Sequence, residues 1–284
     1  MKWLFLKLAF LYPRMYAFFG YYRKKERKRE CEEKAKLFYN PDIDPKRLKR
    51  IVKGVFEVRG LRKLQRYLIP YIDHRFIQQF VTIEGLDILD RAVATKRGII
   101  LISGHIGTVH IGFNILRALG YEIHLLKEGN PATRRSTRFR HFDPNEFTIF
   151  THDAPLSDGE KERTLEILRS GGIIFYTADS RGGRKKVEVS FLGRTMGFPS
   201  GMLCFAHKTN AMVLPFIHLY RRGKIKLIFK EPIDGGWKEG EKDYRRIMGD
   251  FAKLLEYYIQ TYPESYRGIY GPTILDEYYR SSKM

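Results

Sequence analysis

The sequence predicts an α/β fold, a single domain with a largely parallel central sheet flanked by helices. Between residues 81 and 260, short apolar runs typical of buried strands alternate with stretches that repeat apolar residues at helical spacing. The chain has 284 residues and an apolar share of 43%, which is enough to bury a sizeable core. We see no internal repeat or low-complexity linker that would divide it.

The first predicted strand is Val81–Glu84, followed by a helix over 86–96. Ile99–Ile102 is a buried strand that ends in a glycine-bounded turn around His105. A helix then runs to about Leu119, since Val109, Phe113 and Leu116 would share one face, and Gly120 ends it.

The same unit recurs in the second half of the chain. A helix near 160–169 precedes the apolar strand 173–178, which ends at Asp179. Later elements are a helix over 200–208, a strand over Met212–Phe216, a hairpin turn at 221–223 into Lys224–Lys230, and a long helix over 243–260 before Pro263. Residues 31–80 have apolar residues at helical spacing, including Leu61, Leu64, Leu68 and Ile69.

The charge balance indicates anionic partners. Lys and Arg number 52 against 32 Asp and Glu, a formal net charge of +20. Such a surface favours nucleic acid, an acidic protein or a membrane carrying anionic phospholipid. The two cysteines, Cys31 and Cys204, make neither a disulfide framework nor a zinc ribbon, which favours a reducing cytoplasmic setting.

The amino-terminal 30 residues are interpreted as a membrane anchor followed by a basic run, with the remaining residues, 31–284, as the catalytic domain. Residues 3–22 are apolar and aromatic, but Lys7, Pro13 and Arg14 interrupt them, which weakens a spanning helix. No small-residue cleavage site follows, and RKKERKR comes instead. This combination predicts an interfacial helix on an anionic leaflet. An ordinary first helix packed on the core is the alternative.

His105 and Asp179 both follow predicted strands, and sites in parallel sheets collect at the carboxyl ends of the strands. The dipole of the following helix would keep the His105 ring neutral and able to accept a proton. Gly104 and Gly107 would let a substrate approach. The pattern suits deprotonation of a hydroxyl that attacks an ester or thioester, with no cofactor. A structural histidine in a turn remains the alternative.

Three stretches resemble the bacterial lauroyl/myristoyl (lipid A late) acyltransferases, within the glycerolipid acyltransferase superfamily. Residues 103–110, SGHIGTVH, are similar to the family's GH-x-G-N-x-E block. The stretch from Tyr176 to Phe216 matches a second block in order and spacing, and 262-YPESY-266 resembles the family's PEQY. The resemblance implies a membrane-associated acyltransferase at the cytoplasmic face of the bacterial inner membrane, working in lipid A biosynthesis or related lipid metabolism.

By that resemblance, His105 is the general base that takes the proton from the acceptor hydroxyl. That hydroxyl attacks a fatty acyl thioester on acyl carrier protein or coenzyme A, and the acceptor is a lipid A-type or other glycolipid or phospholipid. The family's carboxylate position is His110 here. Three explanations are open. Asp179 supplies the carboxylate in place of residue 110, His105 and His110 divide the two roles differently, or the protein has lost activity. The last case would leave a catalytically silent relative that binds acyl chains or anionic lipid.

Residues 130–141, NPATRRSTRFRH, are interpreted as the substrate-binding segment, with Asn130, Arg134, Arg135 and Arg138 as its candidate residues. Guanidinium groups suit phosphate or a polarised carbonyl. Acyl carrier protein is acidic, so the basic surface would also attract it.

Two rival classes are less well supported. A nucleic-acid binder would explain the charge, but no helix-turn-helix, zinc or RNP-type pattern occurs. A metal-dependent hydrolase would use His105, His110 and Asp179, but the two histidines lack the usual helical ligand spacing and no HExxH occurs. We therefore predict no metal, no cofactor and no nucleic-acid partner.

Overall fold

The computed structural model describes residues 2–39, 42–128, 149–152, 157–180, 185–238, 240–271 and 273–275. The helices are α1 Lys2–Ala9, α2 Tyr12–Arg23, α3 Lys25–Phe38, α4 Pro45–Leu68, α5 His74–Phe80, α6 Leu86–Ala94, α7 Val109–Ala118, α8 Asp158–Arg169, α9 Gly201–Thr209 and α10 Glu241–Thr261. The strands are β1 Val81–Glu84, β2 Ile99–Ser103, β3 Ile123–Glu128, β4 Ile149–His152, β5 Ile173–Thr177, β6 Lys186–Phe191, β7 Arg194–Pro199, β8 Met212–Arg221 and β9 Lys224–Phe229.

Within these residues the main sheet has seven strands in the order β1-β9-β8-β2-β5-β3-β4. Strand β2 lies between β5 and β8 and is parallel to both, with Ile99 opposite Ile173 on one side and Met212 on the other. Strands β3 and β4 continue the parallel part, while β8 and β9 form an antiparallel hairpin. The predicted α/β fold with a largely parallel sheet is therefore confirmed.

The two faces of the sheet bury separate apolar clusters, because successive side chains of a strand point to opposite faces. Ile99 and Leu101 of β2 belong to a cluster that includes the side chains of α1, α2, α4 and α7. Ile100 and Ile102 belong to the other cluster, which α9 and α10 cover together with β6 and β7. Every residue of β2 is buried, and this places its carboxyl end in the middle of the molecule.

Several predicted boundaries were wrong in detail. The strand expected over Met212–Phe216 continues to Arg221, so β8 extends past the end of β2 before the hairpin turns. Residues 186–199, left without elements by the sequence, form the two-stranded sheet β6–β7. Strands β3 and β4 were likewise not predicted.

The amino-terminal segment forms two short helices that fold back on the protein. Leu6, Phe10 and Tyr21 are buried, and the Phe10 ring stacks on Phe80 with ring centroids 4.4 Å apart. Among the described helices, none is both long and apolar enough to cross a membrane. The segment combines a packed inner face with an apolar outer one.

Candidate active site

His105 lies in the turn between β2 and α7 and is held through both its backbone and its ring. The Nδ1 atom lies 2.7 Å from Oδ1 of Asp179, and the backbone N–H donates to the same oxygen at 2.8 Å. Because an ionised carboxylate only accepts, this contact places the ring proton on Nδ1. Nε2 is then the nitrogen that can accept a proton from a substrate. The His105 side chain is 18% exposed, so a substrate can reach it.

Asp179 follows β5 and is fully buried. Burial alone would raise the pKa of its carboxyl, but the charge and hydrogen bonds of His105 outweigh burial and hold that pKa below the usual value. Asp179 is therefore a buried carboxylate that faces the imidazole, as in sites where a carboxylate fixes the tautomer and orientation of a histidine.

The carboxyl-terminal residues 262–271 and 273–275, which we call the strap, lie against the turn and form hydrogen bonds to the backbone near both residues. The Gly107 N–H donates to the Ser265 carbonyl at 2.7 Å, and the Arg267 N–H donates to the His105 carbonyl at 2.8 Å. The Ile274 N–H donates to the backbone carbonyl of Asp179 at 3.2 Å. Ser265, inside the motif 262-YPESY-266, and Arg267, just after it, thus bond to the backbone on either side of Ile106.

Gly107 has a φ of +63° and lies against the backbone of β8. A Cβ atom at this position would come within 1.9 Å of the His218 carbonyl oxygen, so no larger residue fits without moving the turn or the strand. Glycine is also the residue that adopts this left-handed conformation without steric strain. The close approach of Gly107 to the His218 carbonyl fixes the distance between the His105 turn and β8.

A further histidine, His218, lies on the extension of β8 beneath the turn. It is fully buried, and its Nε2 lies 3.3 Å from Oγ of Ser103, the last residue of β2. Burial, with a smaller contribution from the charges of His105 and His110, lowers the pKa of His218 to about 3, so its ring is neutral. One histidine inside an apolar strand carries no motif that would have identified it.

His110 is the second residue of α7 and is half-buried. Its ring packs edge-on against Phe113 with centroids 5.8 Å apart. His110 does not bond to Nδ1 of His105, because that nitrogen bonds to Asp179. The structure thus brings His105 and Asp179 into contact and places His218 beneath the turn, while His110 makes a small contribution to the lowered pKa of His218.

Asn130, Arg134, Arg135 and Arg138 lie outside the described residues. Within the described part of the chain, no group of three or more His, Cys, Asp or Glu side chains is arranged to hold a metal ion.

A parallel α/β sheet with a histidine–carboxylate pair at its carboxyl edge defines a class of hydrolytic or transfer site. The model of the bacterial lipid A biosynthesis acyltransferases matches residues 40–270, so the chain belongs to that family. The match includes His105, His110 and Asp179 as well as the motif at 262–266. A comparison with curated proteins gives no significant match. Family membership implies an acyltransferase acting in lipid A biosynthesis.

Proposed function

We propose that the protein is a membrane-associated acyltransferase in which His105 is the general base. It moves a fatty acyl chain from an acyl carrier protein or coenzyme A thioester to a hydroxyl of a lipid A-type or other glycolipid or phospholipid acceptor. The observation that carries the proposal is the 2.7 Å contact between His105 Nδ1 and Asp179 Oδ1, at the carboxyl edge of the sheet. That contact fixes the orientation of the imidazole and leaves Nε2 as the nitrogen that can accept a proton.

In this mechanism Nε2 of His105 takes the proton of the acceptor hydroxyl while its oxygen attacks the thioester carbonyl carbon. The tetrahedral intermediate then breaks its carbon–sulfur bond, and the thiolate takes the proton back from the imidazolium. Asp179 stabilises the imidazolium by its negative charge. The protein neither gains nor loses a proton over the cycle, and the products are the acylated acceptor and the free thiol.

The amino-terminus of α7 suits the developing oxyanion. α7 begins at Val109, four residues after His105. The first N–H groups of a helix have no carbonyl partner within the helix, and the dipole there favours negative charge. Donors positioned in this way typically contribute a factor of about 10²–10³ to the rate of acyl transfer.

The outer face of α1 and α2 supports attachment to a membrane surface. Its exposed large apolar side chains follow helical spacing and are Phe5, Leu8, Leu11, Tyr12, Met15, Phe18, Phe19 and Tyr22. Lysines surround the tyrosines of this segment: Nζ of Lys24 lies 5.0 Å from the Tyr16 ring centroid, and Nζ of Lys28 lies 4.6 Å from that of Tyr21. An apolar face with a basic rim suits an anionic leaflet. The cytoplasmic leaflet of the bacterial inner membrane is such a surface.

Helix α2 contacts the hairpin turn that follows His218. Arg14 of α2 donates from Nη2 to the carbonyl of Arg222 in the β8–β9 turn, at 3.1 Å. The turn follows His218 on the same strand pair, so a lipid acceptor held at the face would be near His105. The net charge of +20 would attract both an anionic lipid and an acidic acyl carrier protein. We assign thioester or head-group binding to Asn130, Arg134, Arg135 and Arg138 from the sequence alone.

The test uses membranes that hold wild-type, His105→Ala or His74→Ala protein, with radiolabelled acyl carrier protein or coenzyme A thioesters and a total lipid extract. His74 is exposed at the start of α5, so its variant controls for loss of an imidazole away from the site. We expect a labelled lipid from the wild type and the control and none from His105→Ala. No product from any of the three proteins, all folded and membrane-bound, would instead favour the silent relative.

A further inference from the structure

Tyr266 lies at the centre of the strap and beside the buried carboxylate. Its backbone forms an isolated antiparallel bridge with Ile106, and the neighbouring Ser265 and Arg267 make the hydrogen bonds to the turn. The Tyr266 side chain is fully buried. A phenol is thus held in the interior next to the residues that orient His105.

Asp179 has two carboxylate oxygens, and His105 forms hydrogen bonds to only one of them. Oδ1 accepts from both the backbone N–H and the ring of His105. Oδ2 is buried and, among the described residues, has no partner within hydrogen-bond geometry; the same holds for the Tyr266 hydroxyl. A buried carboxylate oxygen without a donor is costly, and so is a buried hydroxyl without an acceptor.

The strap brings the two groups together, since the Ile274 N–H donates to the Asp179 carbonyl and the Tyr266 ring lies beside Gly268 and Thr273 of the same stretch. Their pKa values agree with this placement. Burial, and then the charge of Asp179, raise the pKa of the Tyr266 phenol well above its usual value. Tyr266 in turn is one of the groups that help to lower the pKa of Asp179 against the effect of burial. Both effects have the direction expected when a protonated phenol faces an ionised carboxylate.

Gly268 leaves the space in which the Tyr266 ring lies. A Cβ atom at position 268 would come within 2.4 Å of Cε1 of Tyr266 and 3.2 Å of Oγ1 of Thr273. The ring therefore passes over a bare Cα atom, and any side chain there would displace it. Position 268 fixes where the phenol lies relative to the strap.

We propose that Tyr266 is a positioning residue whose hydroxyl donates to Oδ2 of Asp179 and so holds Oδ1 facing Nδ1 of His105. The inference rests on the proposed function, since it assigns a further residue to the same base. Tyr266 touches no reacting atom and acts through Asp179. A small rotation of the phenol O–H and of the carboxylate would satisfy both unpaired oxygens.

Tyr39 offers a matched control within the same region. Its hydroxyl donates to the carbonyl of Pro263 in the strap at 3.3 Å, and burial raises its pKa well above the usual value. Both Tyr39→Phe and Tyr266→Phe remove one buried hydroxyl next to the strap. Only Tyr266→Phe removes a donor aimed at Asp179.

The experiment compares full-length wild type, Tyr266→Phe, Tyr39→Phe and Gly268→Ala in detergent micelles. Proton NMR follows the downfield signal of the Nδ1 proton of His105, identified by its loss in His105→Ala. Acyl transfer to the lipid extract is measured across pH. The titratable groups that surround the pair are His110 on α7, His218 on β8 and Tyr39 after α3, and all are retained in Tyr266→Phe.

We expect Tyr266→Phe to lower kcat roughly tenfold, with KM for the thioester within about twofold, because one donor to a charged group is lost. Without that donor the carboxylate keeps more charge on Oδ1, so the acid limb of the pH–rate profile moves up by about half a pH unit. The Nδ1 proton signal should shift or broaden. Gly268→Ala should change the signal in the same direction, and Tyr39→Phe should leave both the signal and the profile unchanged.

Two results would overturn the inference. One is a Tyr266→Phe protein whose Nδ1 signal and pH profile match those of the wild type. The other is an equal change of both in Tyr39→Phe, which would indicate that the two hydroxyls only stabilise the position of the strap. The NMR measurement needs no substrate, so an inactive wild type would refute the proposed function without hiding the outcome for Tyr266.

Discussion

The His105 turn and the amino-terminal helices α1 and α2 both pack against β8, but different interactions hold the turn and the outer face of these helices. The turn is held by short polar contacts, from Asp179 on one side and from the strap on the other. On the helices of the outer face, buried residues such as Phe10 pack against the protein, and exposed residues such as Phe18 lie on the opposite side. Substitutions in the turn should therefore lower the rate of acyl transfer, and substitutions on the outer face should weaken binding to a membrane.

The largest effect should come from the carboxylate that orients the base. We expect Asp179→Asn to lower the rate of acyl transfer by roughly 10³–10⁴, because an amide cannot stabilise the imidazolium and can favour the wrong tautomer. Rates on purified protein in mixed micelles would measure this, with circular dichroism as the check on folding. A loss of less than about tenfold would indicate that another group orients His105.

The second prediction separates the two faces of the amino-terminal segment. Phe10→Ala should lower the free energy of unfolding by about 3–5 kcal/mol, since the ring is buried against Phe76, Phe80 and Tyr220. Denaturant unfolding followed by tryptophan fluorescence would measure the change.

The matched change on the outer face is the double substitution Phe18→Gln and Phe19→Gln. It should leave the free energy of unfolding within about 1 kcal/mol of wild type, because surface substitutions rarely exceed that. Binding to vesicles containing anionic phospholipid should fall at least about tenfold, since each ring that enters the interface contributes on the order of 1.5–3 kcal/mol. Unchanged vesicle binding would contradict the assignment of this face to a membrane.

These two regions also show what the sequence could predict. The alternation of strands and helices, the His105 turn and the position of Asp179 after a strand all follow from local periodicity and turn residues. The length of β8 was underestimated although the hairpin turn at 221–223 was predicted, because the extension lies past the end of β2 and continues the strand up to that turn by pairing with β9. In the segment 3–22 apolar residues lie on both faces of the helices, so periodicity alone cannot separate buried Phe10 from exposed Phe18.

The site shows the same division between local and distant information. The turn after one predicted strand indicated His105, and the end of a later predicted strand indicated Asp179. The positions of His218 beneath the turn and of Tyr266 against Ile106 arise from packing between segments distant in sequence, which no local pattern encodes. The segment with Arg134, Arg135 and Arg138 stays a prediction, because it lies outside the described residues.

The third prediction concerns pH. The pKa of His218 is about 3 in the folded protein against about 6.5 in the unfolded chain, so the unfolded state binds the extra proton. His218 thus contributes stability that is fully present above about pH 6.5 and is lost as the pH falls towards 3. The free energy of unfolding should decrease by up to about 1.4 kcal/mol per pH unit in that window from this residue.

The control for this effect is His218→Gln, which keeps a polar group beside Ser103 but has no charge to gain. Its free energy of unfolding should depend less on pH between 6.5 and 4 than that of wild type. Equal slopes for the two proteins, measured by chemical denaturation at each pH, would show that His218 is accessible to protons in the folded state.

The smallest effect should be at His110, where the family pattern has a carboxylate. Because Asp179 already occupies Nδ1 of His105, we expect His110→Ala to change the acyl-transfer rate by no more than roughly threefold to fivefold. A loss as large as that of Asp179→Asn would mean that His110 and not Asp179 is the essential second residue.

The most direct test of the account is chemical rescue of His105→Ala by added imidazole. If His105 is the base and Asp179 is in place to orient it, imidazole bound in the vacated space should restore labelled lipid in a concentration-dependent way. The same addition should leave Asp179→Asn unrescued, because the ring there is present but misoriented. No rescue of a folded, membrane-bound His105→Ala protein, or equal rescue of both variants, would contradict the assignment of His105 as the base.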